Sequence, residues 1–365
     1  MPTLGQRDRR YHVASMTVGQ RAWKRHARLA VCSTRSLRCT SATLMAHLQP
    51  PFGTTVFTMT DQAIINEVGL RDGLQNQPVT VDTATKAKLA QLLVDAGMRY
   101  LEPVSFVSPK AIPQMADAAA LTPLLPQGND LHYTALIPNL KGYQLARDAG
   151  YPTVGLVLST TDSFNERNLR MSLEQAAQSC EAIIAAAKAD GIATRTYISG
   201  AFACPYDGPV PVTLPQKLSE RMFAAGSDEV AIADTIGAGN PQQMKDIMAP
   251  LIQEFGAEKF YVHLHDTRGL AAAMAWAAAD LGVRRFDASI GGLGGCPFAP
   301  GATGNMATED LVYLLESAGL KTGIDVQGLR EAVALAAEAT QRPLGGRILG
   351  WIESQEKQGK TACIG

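Results

Sequence analysis

Short β-type runs alternate with longer helical stretches along most of this chain. The short runs are dense in apolar and β-branched residues, whereas apolar residues in the long stretches recur at helical spacing. We predict eight strands, at residues 63–68, 100–104, 131–137, 153–158, 193–199, 229–233, 260–265 and 285–290. We predict helices between and after them, at residues 80–96, 139–149, 172–189, 214–225, 241–255, 270–281 and 308–318.

Eight strand–helix units over about 250 residues are typical of a (β/α)8 TIM barrel, an α/β fold. A doubly wound open sheet is the alternative. Polar residues recur at or near the carboxyl ends of the predicted strands, where barrel enzymes carry their active sites. An open sheet would leave some of them on opposite edges. We therefore predict a catalytic barrel over residues 61–345, with additional C-terminal helices and a tail at 346–365.

Composition narrows the class of protein. The chain of 365 residues is 46% hydrophobic and 18% charged, which suits a soluble enzyme. A net charge of −1 gives no argument for nucleic-acid or membrane partners. No apolar run approaches the roughly 20 residues that cross a bilayer. The six cysteines include no CxxC pair, which favours a reducing compartment, and we expect a cytoplasmic protein.

Residues 1–60 differ from the rest because they are rich in arginine and contain one acid, Asp8. One interpretation is an organellar transit peptide, which would place the protein in the mitochondrial matrix. The other is a leader attached by a start site assigned too early, with Met45 or Met59 as the true start. We favour the second and expect a disordered extension.

His263 and His265 end the seventh predicted strand. Residues i and i+2 of a strand point to the same side, so both imidazoles leave one face together. Two neighbouring imidazoles are suited to hold one metal ion. The alternative is a pair of hydrogen-bonded core histidines.

Arg71 and Asp72 follow the first strand between Gly69 and Gly73, which permit close approach of a ligand. The Asp72 carboxylate suits a divalent ion, and Arg71 suits an enolate or carbonyl oxygen. The alternative is a surface salt bridge.

Two further acids lie in or at the end of predicted strands. Glu102 lies in an apolar strand, where an unpaired carboxylate is costly, so we expect it to pair with Arg71. Asp234 ends the sixth strand and is suited to orient an imidazole or the water around an ion. The alternatives are a structural ion pair for Glu102 and a helix cap for Asp234.

The glycine-rich run 291–305 predicts a mobile loop that folds over a ligand and excludes water. Cys296 within it is a candidate acid or base, and the amide oxygen of Asn305 is a candidate ligand for the ion. The alternatives are a loop without function, a spectator thiol and a helix N-cap. Segments 105–110 and 165–170 are interpreted as substrate-facing loops.

These motifs resemble those of the hydroxymethylglutaryl-CoA lyases, within a superfamily of metal-dependent lyases and Claisen-condensing barrels. The resemblance extends from Ile65 to about Gly345. It rests on residues 68–76, 105–110, 113–117, 234–237, 263–267 and 291–310. The Gly-Gly-Cys-Pro and Thr-Gly-Asn blocks are its most specific part, because the sister synthases lack the cysteine loop.

The resemblance implies retro-Claisen cleavage of 3-hydroxy-3-methylglutaryl-CoA to acetyl-CoA and acetoacetate by a homodimer. It implies Mg2+ or Mn2+ held by Asp72, His263, His265 and Asn305. It further implies that Arg71 stabilises the enolate with support from Glu102, that Cys296 transfers a proton, and that Asp234 positions the reacting groups.

Two features depart from the family pattern. Glu166 stands where many relatives carry a basic residue, which affects the expected contacts to the CoA phosphates. Pro103 follows Glu102 within a strand and is able to shift it. A lyase for a related, longer 3-hydroxyacyl-CoA is therefore one alternative. A condensing synthase run in the opposite direction and a catalytically silent barrel used as a binding partner are two further alternatives.

Overall fold

A computed structural model describes residues 61–295 and 304–360. Eight parallel strands form a closed barrel in which each strand pairs with the next and the last pairs with the first. The barrel strands are β1 Ile64–Glu67, β2 Tyr100–Ser105, β3 His132–Ile137, β4 Thr153–Ser159, β5 Ala193–Ser199, β6 Glu229–Asp234, β7 Phe260–Leu264 and β8 Arg285–Ala288. The predicted TIM barrel is confirmed. A small hairpin, Ala203–Cys204 with Gly208–Pro209, follows β5.

Helices follow the strands around the barrel. They are α1 Thr83–Asp95, α2 Ala118–Leu121, α3 Leu140–Asp148, α4 Asp162–Leu169, α5 Leu173–Asp190, α6 Thr213–Ala225, α7 Pro241–Phe255, α8 Ala271–Asp280, α9 Thr308–Ser317, α10 Leu329–Thr340 and α11 Arg347–Lys357. Several begin where a polar side chain accepts a hydrogen bond from a free backbone N–H, as Asp82, Asn139, Ser172 and Asn240 do.

Two of the three apolar clusters in the described part of the chain explain the layers. The larger one lies between the strands and the helices. The smaller one, Leu136, Tyr197, Ala231 and Tyr261, comes from strands β3, β5, β6 and β7. Its members lie on one side of the sheet. One of them, Tyr197, also faces the large cavity described below. The barrel interior is therefore filled by side chains, and these include buried polar groups such as Asn66 and Asp287.

Strand β2 contains a β-bulge at Glu102 and Pro103. Leu101 pairs with Tyr133 and Val104 pairs with Ala135, so two residues of β2 lie opposite one residue of β3. A bulge leaves its extra residue outside the ladder, which suits proline because it has no N–H to donate. Pro103 therefore disturbs the ladder where the ladder is already interrupted.

Predicted and observed boundaries differ at some ends. Strand β7 ends at Leu264, and His265 instead forms an isolated bridge with Asn305. Strand β8 ends at Ala288 because the chain turns into a short 3-10 helix, Ile290–Gly292. Gly291 and Gly292 have φ values of 63° and 68° there, which favour glycine.

The C-terminal prediction needs correction. The segment interpreted as a tail, 346–365, begins with helix α11, whose Ile348, Leu349 and Ile352 are buried. Residues 165–170, interpreted as a loop, lie mostly in helix α4. The predicted extension at 1–60 lies outside the described residues. Within the described part of the chain, no helix is long and apolar enough to span a bilayer.

Candidate active site

A cavity of about 1080 Å3 opens at the carboxyl ends of the barrel strands. Its lining includes Arg71, Asp72, Tyr197, His263 and His265. These residues come from β1, β5 and β7 or the turns that follow them, so the fold brings together side chains that are far apart in sequence. This is the face on which barrel enzymes carry their active sites.

Asp72, His263 and His265 form a buried cluster suited to a metal ion. One ligand atom from each lies within 4.8 Å of the others. Oδ2 of Asp72 lies 3.9 Å from Nε2 of His263 and 3.8 Å from Nε2 of His265. Two imidazoles and a carboxylate are a donor set that binds divalent metal ions. The residues therefore fit a divalent metal ion, and its identity as Mg2+ or Mn2+ stays a prediction.

The protonation states of Asp72 and His265 also fit metal binding. Burial by itself would raise the pKa of Asp72, but the positive charge of Arg71 and the two histidines hold it well below its usual range. Burial, together with the neighbouring His263, lowers the pKa of His265 to about 4. At neutral pH this leaves an ionised carboxylate beside an uncharged imidazole, and metal ligands must be in these forms.

Asn305 lies beside the same carboxylate. Its Nδ2 donates to Oδ2 of Asp72 at 2.7 Å and lies 3.3 Å from the backbone oxygen of Leu293. A Cβ at Gly294 would come within 2.7 Å of this nitrogen, so the glycine leaves room for the carboxamide. Ligation by Asn305 would require its amide oxygen to face the ion, and that role stays a prediction.

Arg71 is held between two acids, and the expected pairing with Glu102 is present. Its Nε donates to Oε1 of Glu102 at 2.5 Å and its Nη1 to Oδ1 of Asp72 at 2.6 Å. The second oxygen of Glu102 accepts the hydroxyl of Tyr197 at 2.9 Å. Arg71 also lines the cavity, so its guanidinium is fixed beside the candidate metal-binding residues.

Asp234 makes a different set of contacts from the one predicted. Its two carboxylate oxygens accept the backbone N–H groups of Ala238 and Gly239, each at 2.8 Å. It therefore orders the loop after β6, whereas its neighbours Ala233 and Thr235 line the cavity. These contacts are not a helix cap, because Asn240 caps the helix that follows, and a direct role of Asp234 in the reaction stays a prediction.

Cys296 lies outside the described residues, so its predicted role is untested. The last described residue before it, Gly295, lines the cavity. The side chain of Asn76 donates to the backbone oxygen of Gly295 at 2.9 Å. The turn after β1 thus anchors the start of the glycine-rich run.

The outer part of the cavity is basic. Lys110, Arg167 and Arg170 line it. Arg167 extends from α4 with its guanidinium 4.4 Å from the ring centre of Tyr206. Asn165 is different, because its side chain is buried and bonds the backbone of Ser159 at 2.8 Å and 3.0 Å. Of the segment 165–170, the residues from Arg167 onward therefore face the cavity.

Sequence reasoning missed several buried polar residues around the site. Asp287 contacts His263, and Asn66 and Arg195 contact Asp287. Glu67 accepts hydrogen bonds from the backbone of Gly69 and Ile290 and from the Thr308 hydroxyl. The available signal for these residues is a charged side chain in an otherwise apolar strand, which is also the signal that predicts the pairing of Glu102.

Comparison with known proteins identifies the family. The model of the HMGL-like family matches residues 62–335. The chain belongs to this family. It is 39% identical over 304 residues to the mitochondrial hydroxymethylglutaryl-CoA lyase of Bos taurus, covering 83% of this chain and 94% of that one. It is 40% identical over 284 residues to the cytoplasmic 3-hydroxy-3-methylglutaryl-CoA lyase of Danio rerio, covering 78% and 85%.

Solved structures of the family agree with the fold. The lyase of Acinetobacter baumannii, in complex with coenzyme A and 3-methylmalate, superposes with a TM-score of 0.77 at 34% identity. The match covers 85% of this chain and 99% of that chain. The resemblance found from the motifs is therefore confirmed.

Proposed function

We propose that this protein cleaves 3-hydroxy-3-methylglutaryl-CoA, as the (S) isomer, to acetyl-CoA and acetoacetate with Mg2+ or Mn2+. The observation that carries the proposal is the contact of Arg71 with Asp72, which also lies beside His263 and His265. A candidate cation site and a fixed guanidinium thus lie side by side in one cavity. Family membership supplies the substrate class.

The reaction needs a proton to leave the tertiary hydroxyl, the adjacent carbon–carbon bond to break, and the acetyl-CoA enolate to gain a proton. Asp72, His263 and His265, with Asn305 as a further proposed ligand, would hold a divalent ion, and that ion would supply the Lewis acidity that favours loss of the hydroxyl proton. The ketone of acetoacetate then forms from the carbinol carbon as the enolate leaves.

Arg71 stabilises the leaving enolate. Its guanidinium is fixed by Glu102 and Asp72 before substrate binds, so little reorganisation is needed when negative charge develops. Cys296 is the proposed proton donor to the enolate carbon. Asp234 contributes indirectly, since it holds the loop that carries the cavity residue Thr235.

The basic outer cavity suits the CoA portion of the substrate. Lys110, Arg167 and Arg170 provide positive charge for its phosphates. The solved lyase from A. baumannii was determined with coenzyme A, which supports an acyl-CoA substrate here. The presence of the acid Glu166 does not remove these three basic side chains from the cavity lining.

The test is an assay of purified protein with Mn2+ or Mg2+ for release of acetoacetate. We expect Arg71→Gln to lower kcat by at least about a hundredfold, the usual effect of removing one stabiliser of a developing oxyanion, while Mn2+ still binds. His263→Ala should abolish both turnover and Mn2+ binding. A metal-loaded wild type without turnover on this substrate contradicts the assignment.

The other candidates are distinguished by substrate. Cleavage of longer branched 3-hydroxyacyl-CoA thioesters, in the same assay, indicates a related lyase. Condensation of acetyl-CoA with a 2-oxo acid indicates a synthase. We also propose that the protein is a homodimer, which light scattering tests. We propose that it is cytoplasmic. Because the relatives include both mitochondrial and cytoplasmic lyases, cell fractionation is the test of this localisation.

A further inference from the structure

The two histidines of the candidate metal site have unequal surroundings. Nδ1 of His263 lies 3.1 Å from Oδ2 of Asp287. Nδ1 of His265 is buried without a hydrogen-bond partner among the described residues. Their Nε2 atoms, in contrast, lie at nearly equal distances from Asp72. One ring is therefore oriented by a carboxylate and the other is not.

Strand register brings Asp287 to His263. Asp287 of β8 is the Cα partner of His263 in β7 and also of Asn66 in β1. Partners in adjacent parallel strands present their side chains on the same face of the sheet. The three side chains thus form one row across three strands inside the barrel.

Asp287 is itself fixed from two sides. Its Oδ1 accepts the amide nitrogen of Asn66 at 2.9 Å and lies 3.8 Å from Nη1 of Arg195. The guanidinium carbon of Arg195 lies 3.5 Å from the ring centre of Tyr261, and its Nε pairs with Glu229 at 2.9 Å. A carboxylate held this way has little freedom to leave His263.

We propose that Asp287 is the positioning residue for His263. It accepts the Nδ1 proton, so the lone pair of Nε2 faces Asp72 and the cation. A carboxylate behind a ligating histidine fixes the tautomer and ring orientation and makes the ligand more basic. The proposal rests on the proposed metal-dependent function.

The first test is Mn2+ affinity, measured by calorimetry or electron paramagnetic resonance. We expect Asp287→Asn to raise the Mn2+ Kd by about 10- to 100-fold, the usual effect of losing such a partner. At saturating Mn2+ much of kcat should return, with KM for the acyl-CoA unchanged. An unchanged Kd in a folded variant overturns the proposal.

A matched control is Asp117→Asn, which removes a different acid from a partly buried ion pair. Asp117 pairs with Lys86 at 2.6 Å, outside the cavity lining. This variant should lose stability yet keep the Mn2+ Kd within about twofold of wild type, since the affected contact does not touch a ligand. A similar rise in Kd for both variants would show that any loss of packing weakens the site, and would overturn the assignment to Asp287.

A second measurement needs no variant of Asp287, in case that variant does not fold. In the Mg2+-loaded wild type with 15N-labelled histidine, His263 should carry its proton on Nδ1, with the signal assigned by its absence in His263→Gln. Protonation on Nε2 instead overturns the proposal. A wild type that binds no metal also overturns the proposal, but this result contradicts the proposed function at the same time. The two failures are therefore distinguished by whether the wild type binds metal.

Discussion

At the scale of single residues, the site depends on a chain of contacts from Tyr197 through Glu102 to Arg71. Glu102 is fully buried, so each of its oxygens needs a partner. Arg71 satisfies one and the Tyr197 hydroxyl satisfies the other. Gly155 leaves the space for this arrangement, because a Cβ there would come within 3.1 Å of the Tyr197 ring and 3.2 Å of Glu102.

Removing the Tyr197 hydroxyl should lower both the stability of the fold and kcat. We expect Tyr197→Phe to cost about 1–3 kcal/mol of unfolding free energy, because one oxygen of Glu102 loses its donor. Since Glu102 fixes Arg71, kcat should fall by about tenfold, equivalent to roughly 1.4 kcal/mol. Denaturation and steady-state kinetics measure both effects.

Tyr133→Phe is the matched control. The Tyr133 hydroxyl donates to the backbone oxygen of Pro126 at 2.8 Å, outside the cavity lining. This variant should lose a similar free energy of unfolding while kcat stays at the wild-type value. If kcat falls equally in both variants, Tyr197 has no specific part in placing Arg71.

At the scale of elements, Glu67 ties the end of β1 to the segments that follow β8. Its carboxylate joins the backbone of Gly69 and Ile290 to the Thr308 hydroxyl at the start of α9. Burial raises the pKa of Glu67 from 4.5 to about 7. The folded protein therefore keeps this proton over a range in which the unfolded chain has lost it.

Stability should fall as pH rises through that range. A raised acid pKa means that the folded state binds the proton more tightly, so the stabilisation is complete below about pH 4.5 and lost by about pH 7. The loss amounts to about 3 kcal/mol at 1.36 kcal/mol per pKa unit. Glu67→Gln cannot ionise, so its unfolding free energy relative to wild type should rise by this amount. A pH-independent difference contradicts the prediction.

Helix α11 begins at a cap supplied by another helix. The side chain of Asp310 in α9 accepts the backbone N–H groups of Arg347 and Ile348, at 3.0 Å and 2.8 Å. Asp310→Ala should therefore cost about 1–2 kcal/mol, as loss of a helix N-cap does. Asp148→Ala, which loses only an exposed pair with Arg147, should cost under about 1 kcal/mol in the same denaturation experiment. Equal losses would show that the cap contributes nothing.

The sequence predicts the barrel strands better than it predicts helices α4 and α11. Short apolar runs, separated by helical stretches, reveal all eight barrel strands. Each strand appears as a run because both of its faces are covered. Helix α4 is missed because it is short and polar, and its buried Asn165 is stabilised by bonds to Ser159 that no local pattern shows. Helix α11 is missed because its cap lies 37 residues away.

The candidate site divides in the same way. Asp72, His263 and His265 can be predicted from the sequence because each follows or ends a strand and has a recognisable chemistry. Asp287 and Asn66 cannot be predicted in this way, since their role comes from the register between β1, β8 and β7. Register is a property of the folded barrel, and a single chain gives little information about it.

At the scale of the whole molecule, metal binding should stabilise the barrel. A ligand that binds only the folded state adds about 2.7 kcal/mol at a free concentration of 100 times its Kd. For a domain of this size we expect Tm to rise by about 5–10 °C when Mn2+ is added to protein treated with a chelator. His263→Ala should show no rise. An equal rise in that variant would place the stabilising ion elsewhere.

The closure of the barrel has a consequence for synthesis of the chain. Asp72 and Asn305 are 233 residues apart, yet their side chains are in contact, and the first strand pairs with the last. While the polypeptide is emerging from the ribosome, the early half cannot assemble the cation site by itself. A premature-stop fragment that ends before His263 lacks two of the three residues of the candidate metal cluster. We therefore expect such a fragment to carry neither the ion nor its reactivity.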